Sequence, residues 1–255
     1  MSLIVHTIPA FTDNYIWLFH QPGNNRAYVV DPGDANPVIE TLNKLELSLA
    51  GIIVTHHHPD HVGGIHQLLD KYPVPVYGPK GISQVTHIMK DGDSLNLAET
   101  AFDVLAIPGH TLDHIAYFAA DEPLVFCGDT LFAGGCGRLF EGTPEQMWHS
   151  LSRLASLPAE TLIYCTHEYT QANLEFALVV EPENKVLQQR ALQVRQERQQ
   201  NQSTIPSTLT QELSSNPFLR ADQPSIKKAA EEHEGRPANS DEDTFAIIRR
   251  WKDHF

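Results

Sequence analysis

The sequence predicts a layered α/β sandwich followed by a helical extension. Three observations point there. Short apolar runs alternate with helical periodicity up to about residue 165, several separate strand ends deliver a histidine or an aspartate, and beyond Glu168 the strand pattern gives way to helices. Residues 1–165 are accordingly expected to form the α/β core and residues 166–255 the helical extension.

Leu3–Ile8, Tyr15–Phe19 and Ala27–Val30 read as a strand meander, separated by Asp13-Asn14 and by the turn Pro22-Gly23-Asn24-Asn25. Asp31-Pro32-Gly33 ends the third strand, and Ala35–Leu45 has helical spacing. Asp31 is either a plain turn residue or an acceptor seated beneath the next loop. That loop follows the apolar run Leu49–Val54 and reads Thr55-His56-His57-His58-Pro59-Asp60-His61, continuing through Gly63-Gly64 into a helix that ends near Lys71. Strands are expected at Val74–Tyr77, Leu95–Leu97 and Phe102–Ile107, the last ending at Pro108-Gly109-His110-Thr111. Ile115–Ala119 and Leu124–Cys127 pair ahead of Gly128-Asp129-Thr130, and Leu162–Cys165 ends at Thr166-His167-Glu168. Helices are expected at Tyr169–Val180, Asn184–Gln202 and Asp241–His254, with a breaker at 202–207 and no further strand.

Composition limits the function classes. The 255 residues, 41% hydrophobic and 20% charged, are those of a folded globular chain. A net charge of -14, from 18 basic and 32 acidic side chains, argues against nucleic acid or an anionic membrane as partner and leaves small molecules. No run of about 18 apolar residues offers a membrane span, and the N-terminus lacks the pattern of a secretion signal. Three cysteines, Cys127, Cys136 and Cys165, form no paired framework, which suits a reducing, cytoplasmic setting. Nothing in the pattern asks for a second copy, so a monomer is expected.

The strand ends carry the chemistry. Four metal-binding groups, His56, His58, Asp60 and His61, fall within six residues, and imidazole with carboxylate suits zinc, iron or manganese. Alternation sends His56 and His58 to one side and His57 to the other, while Asp60 and His61 open the helix. His56, His58 and His110 can serve one ion, and Asp60, His61 and His167 a second, with Asp129 as a bridging carboxylate. His114 is a candidate support, not a ligand. A purely structural zinc site would be closed by thiolates and imidazoles, whereas this set is rich in carboxylate and leaves room for water. Two adjacent ions would share that water and make it hydroxide at neutral pH.

The motif Thr55-His56-His57-His58-Pro59-Asp60-His61, with Gly109-His110-Thr111, Gly128-Asp129-Thr130 and Thr166-His167-Glu168, resembles the metallo-β-lactamase superfamily, an αββα sandwich. Within it, Asp13-Asn14-Tyr15, Gly135-Cys136-Gly137-Arg138 with Glu141-Gly142-Thr143, His167-Glu168-Tyr169-Thr170 and Arg249-Arg250-Trp251-Lys252-Asp253 are similar to the glyoxalase II (hydroxyacylglutathione hydrolase) family. The resemblance covers essentially the whole chain.

It implies a binuclear metal hydrolase, most simply with two Zn2+ ions, that cleaves S-D-lactoylglutathione to D-lactate and glutathione in methylglyoxal detoxification. A metal-held hydroxide would attack the thioester carbonyl, with Asp60 and Asp129 among its supports. Glutathione thiolate, with a pKa near the 8.5 of free cysteine, would leave with little need of an acid. Two dications, two carboxylates and a hydroxide leave the site at about +1, a local sign opposite to that of the protein. The resemblance further implies that Arg138, Tyr169, Arg249 and Lys252 hold the glutathione moiety, and Arg249 and Lys252, three apart, share a helix face. Phe140 stands where the family more often has tyrosine, so contact there would be through backbone or ring. The rival readings are a mononuclear iron persulfide dioxygenase, a β-lactamase, and a non-catalytic binder of glutathione conjugates.

Overall fold

The computed structural model describes residues 2–255. Its chain divides into two compact units, one running to Ala106 and including Asp113–Gly128, the other comprising Ile107–Leu112 and Asp129–Phe255.

The first unit contains two sheets. One has six strands in sequential order: β1 (Ile4–Ala10), β2 (Asn14–His20), β3 (Arg26–Val30), β4 (Ser48–Ile53), β5 (Val76–Gly78) and β6 (His87–Ile88). The first three pair antiparallel, and β3 to β6 pair parallel. Parallel pairing requires crossovers, supplied by α1 (Ala35–Lys44) between β3 and β4 and by α3 (Ile65–Lys71) between β4 and β5. α1 begins at Asp34, whose side chain accepts from Asn36 N, and buries Val38 and Leu42 against the sheet.

The second sheet of this unit is an antiparallel meander of β7 (Ser94–Leu97), β8 (Thr100–Ala106), β9 (Ile115–Ala119) and β10 (Leu124–Gly128). Strand alternation on β2 shows how the layers are held. Ile16 and Leu18 join the core beneath α1 and α3, while Phe19 turns the other way and packs on Phe102 and Phe126 of the second sheet, at centroid distances of 5.5 and 5.4 Å. With both faces covered, every residue of β2 is buried.

The second unit begins, after its 107–112 loop, with the hairpin β11 (Leu131–Phe132) and β12 (Gly135–Cys136), followed by α4 (Pro144–Ala155). A capping box between Thr143 and Gln146, with proline at the first turn, starts α4. β13 (Leu162–Cys165) pairs with β14 (Ser207–Thr208), and the remainder is helical: α5 (Thr170–Val180), α6 (Lys185–Gln199), α7 (Leu209–Ser215), α8 (Pro224–Glu234) and α9 (Asp241–Asp253). Leu174, Ala177, Leu187 and Val194 join α5 to α6. A buried pair, Arg190 with Glu212, ties α6 to α7, and the other Glu212 oxygen accepts Gly134 N of the hairpin at 2.8 Å.

Two sheets flanked by helices, with a helix-rich C-terminal region, agree with the expected class. Several details differ. β14 is a strand where none was expected, because two residues behind Pro206 give no periodicity to read. The helix after the histidine-rich loop is not continuous: α2 (Pro59–Val62) stops, and α3 starts again after Gly63-Gly64. The compact unit that carries the C-terminal helices begins, apart from its 107–112 loop, at Asp129. The two-residue β6 falls in a stretch with no strand pattern. All three cysteines are free and buried.

Phe19→Ala should destabilise the protein by about 3–5 kcal/mol, since it empties a fully buried aromatic position between the sheets. Urea unfolding followed by circular dichroism measures this; a loss under 1 kcal/mol, roughly the level of a surface change, would contradict the packing described.

Candidate metal centre

Asp31 sets the first unit's share of the donors. It has a left-handed backbone, φ 48°, which aspartate tolerates better than most residues. Its carboxylate lies under the 55–61 loop. Oδ1 accepts Thr55 N at 2.7 Å, and Oδ2 accepts Thr55 Oγ1 at 2.7 Å and His61 Nδ1 at 3.0 Å. Thr55 Oγ1 donates its one hydrogen to Asp31, so toward His56 Nδ1, 3.1 Å away, it acts as the acceptor. Both His56 and His61 are therefore fixed with Nδ1 protonated, which makes Nε2 the ligating atom of each. Gly33 allows the close approach this needs, because a Cβ there would lie 1.8 Å from the Asp60 carbonyl oxygen. Asp31 is thus both of the things the sequence left open, a turn residue and the acceptor beneath the loop.

The remaining donors of this unit fall into place around it. His58 Nδ1 lies 3.1 Å from His56 Nε2. Asp60 Oδ2 lies 3.5 Å from His61 Nε2 and accepts from Asn14 Nδ2 at 2.9 Å. His114 is buried and stacks on His56 at 4.5 Å and 15°, which steadies that ring. His57 is exposed and pairs with Asp113 at 2.9 Å.

In the second unit one carboxylate oxygen stands beside two imidazoles. Asp129 Oδ2 is 3.5 Å from His110 Nε2 and 3.2 Å from His167 Nε2. His110 donates from Nδ1 to the Arg138 carbonyl at 2.8 Å, which leaves its Nε2 as the ligating atom. Its loop is tied down by Ser150 Oγ to Pro108 O at 2.7 Å and by Phe140 N to His110 O at 3.2 Å. Gly137 permits the next turn of chain to pass Asp129, since a Cβ there would lie 1.9 Å from the Asp129 carbonyl oxygen.

These donors fit divalent metal. Two ligands about 2.0–2.2 Å from one cation, at tetrahedral to octahedral angles, lie about 2.9–3.5 Å from each other. The four donor pairs just described measure 3.1, 3.5, 3.5 and 3.2 Å. Imidazole nitrogen with carboxylate oxygen is the donor mixture of zinc, iron and manganese sites.

Comparison with known proteins agrees with this chemistry. The family model described as "Metallo-beta-lactamase superfamily" matches residues 11–87 and 85–167, and the one described as "Hydroxyacylglutathione hydrolase C-terminus" matches 168–255. A hydroxyacylglutathione hydrolase of Photobacterium profundum is 53% identical over 256 residues, covering 99% of this chain and 100% of the relative. One of Idiomarina loihiensis is 52% identical over 252 residues, covering 98% and 99%. The chain belongs to the hydroxyacylglutathione hydrolase family. Among solved structures, ETHE1 from Myxococcus xanthus shares the fold at a TM-score of 0.70 and 24% identity, covering 97% of this chain and 91% of that one. The BLEG-1 B3 metallo-beta-lactamase does so at 0.66 and 22%, covering 85% and 99%.

The hydroxyacylglutathione hydrolase family residues expected to hold substrate all lie in the second unit. Tyr169 is part-exposed and stacks flat on His167, 4.7 Å and 5°. Phe140 is exposed and meets the His110 ring edge-on at 5.2 Å. Arg138 is largely exposed, with Nε 3.4 Å from Asp253 Oδ1. Arg249 and Lys252 both lie on α9, but they differ in openness. Arg249 is only 5% exposed; it donates to Cys136 O at 2.9 Å and to Asp253 Oδ1 at 3.1 Å, and packs over Phe218. Lys252 donates to Ala172 O at 3.1 Å beside the Phe176 and Phe255 rings, and burial, then the Arg249 charge, draws its ammonium below the usual lysine range.

Sequence reasoning gave no role to three residues that the geometry brings in: Asn14 on Asp60, Thr55 between Asp31 and His56, and Asp253 between two arginines. Asn14 is 46 residues from its partner, and a turn-type residue beside Asp13 gives no sign of so distant a contact.

Asp31→Asn should weaken divalent metal binding about 10- to 100-fold, because the amide cannot serve as the carboxylate acceptor for Thr55 and His61. Competition with a chromogenic chelator measures this; unchanged affinity would show that the tautomers are set elsewhere.

Proposed function

We propose that this chain hydrolyses the thioester S-D-lactoylglutathione to D-lactate and glutathione at a centre of two divalent ions. The observation that carries the reading is its full-length membership of the hydroxyacylglutathione hydrolase family, with the C-terminal family region present alongside the His/Asp donors. His56, His58 and His110 would hold one ion, and Asp60, His61 and His167 the other, with Asp129 between them. The position of one Asp129 oxygen beside both His110 and His167 supports the bridging role. Zinc is the metal we favour, and the same donors accept iron or manganese. Bound there, the two ions would turn a shared water into hydroxide at neutral pH and polarise the thioester carbonyl.

The chain's own residues supply the rest. Asp60 and Asp129 offset the cationic charge and keep the donors in place. No side chain need protonate the leaving group, because a thiolate with a pKa near 8.5 departs readily at neutral pH. Tyr169 and Phe140 present ring faces and edges beside the ligating histidines. Arg138 and Lys252, with Arg249 behind them, supply cationic partners for the carboxylates of the glutathione moiety. In this reading residues 1–165, joined by His167, conduct the chemistry, and residues 166–255, joined by Arg138 and Phe140, select the thiol half of the substrate. We further propose a cytoplasmic monomer acting on a small molecule, with no nucleic-acid or membrane partner. The net charge of -14 supports that reading, as does the lack, among the described residues, of a helix long and apolar enough to cross a membrane.

Mixing metal-loaded protein with S-D-lactoylglutathione should abolish the thioester absorbance, and a metal-stripped control should not. Turnover equal to that of the stripped control, or oxygen consumption in place of hydrolysis, would refute the assignment. Lys252→Ala should raise KM about tenfold with kcat within twofold, because a contact remote from the carbonyl acts alike on ground and transition states. An unchanged KM would remove Lys252 from the binding surface.

A further inference from the structure

Asp253 is the last residue of α9, where the helix dipole disfavours a carboxylate. Its placement there needs a cause. The Oδ1 atom lies 3.1 Å from Arg249 Nη2, one helical turn back, and 3.4 Å from Arg138 Nε. Arg249 in turn donates from Nη1 to the carbonyl of Cys136, two residues before Arg138. The four residues close a ring: α9 holds the 136–138 backbone through Arg249, and the Arg138 side chain returns to α9 through Asp253.

The charges sharpen the point. Two cations, Arg138 and Arg249, flank one carboxylate, and a negative side chain between them would repel an anionic substrate if its role were contact. Arg138 is a long side chain, 61% exposed, and left alone it would spend most of its time in water. Its carbonyl also accepts from His110 Nδ1, so the residue whose side chain Asp253 restrains is the one whose backbone orients a metal donor.

We propose that Asp253 is a positioning residue, which holds the exposed Arg138 against α9, in front of the buried Arg249, so that a carboxylate of the glutathione moiety meets a guanidinium already arranged to receive it. The inference rests on the function proposed above. It adds a specificity element to that site: the enzyme's preference for an anionic thiol group depends on an anionic side chain of its own. Prearranging a flexible arginine removes an ordering cost from binding, and the benefit shows in affinity more than in turnover.

The test is a double-mutant cycle on the metal-loaded protein, with Asp253→Asn, Arg138→Ala and the pair. Calorimetric titration with glutathione gives Kd, and hydrolysis of S-D-lactoylglutathione gives KM and kcat. Asp253→Asn should raise Kd and KM about threefold to tenfold, with kcat changed less than about twofold, values typical of a part-exposed charged pair. In the Arg138→Ala background the same substitution should change Kd by less than about twofold, and Asp253→Glu should recover part of the loss. Additive effects, an unchanged Kd, or tighter binding in Asp253→Asn would overturn the proposal. A parent protein that neither binds glutathione nor hydrolyses the thioester would fail the functional reading itself, and the inference with it. A parent that does both, with no coupling between Asp253 and Arg138, fails the inference alone.

Discussion

The structure's metal chemistry depends on one buried carboxylate. Asp31 is 2% exposed and accepts three hydrogen bonds, from the Thr55 amide, the Thr55 hydroxyl and His61. A buried anion of this kind persists only when its oxygens are satisfied, and here each bond that satisfies it also orients something. The amide bond fixes where the chain leaves β4. The hydroxyl bond passes an acceptor on to His56, and the imidazole bond sets His61. One side chain thus chooses the tautomers of two histidines five residues apart, and the choice of Nε2 as the ligating atom follows from it.

The second unit solves the same problem with backbone acceptors and a buried ion pair. His110 is oriented by a carbonyl, that of Arg138, and its loop by Ser150 of α4. The hairpin after Asp129 is held by Glu212, which is itself held by Arg190 and Asn216. Breaking such a pair leaves an uncompensated charge in the interior, so the C-terminal helices stiffen the hairpin in addition to carrying α9. The C-terminal helices thus help to hold the hairpin that follows Asp129.

Strand periodicity and strand-end residues made the first unit legible. The apolar run Tyr15–Phe19, and the His-x-His-x-Asp-His spacing, are local patterns that survive folding unchanged. What could not be read were contacts between residues far apart in the chain. Asn14 on Asp60 and Asp253 on Arg138 join turn-type or helix-end residues that have ordinary local explanations. The short elements escaped for a different reason. β14 is two residues long, below the length at which alternation exists, and α7 and α8 lie in polar stretches whose burial comes from neighbours, not from a strong apolar face of their own. Arg249 and Lys252 were legible as a pair on one helix face. The burial of Arg249 was not, because only tertiary packing distinguishes a guanidinium in water from one turned onto the Cys136 carbonyl.

The proposed function has two ions act together on one thioester. Metal titration of the stripped protein tests this most directly, with zinc added in sub-stoichiometric steps and S-D-lactoylglutathione hydrolysis measured at each. The account expects activity to rise until two equivalents per chain are bound and then to level off. Full activity at one equivalent, or undiminished hydrolysis in the stripped protein, would contradict it.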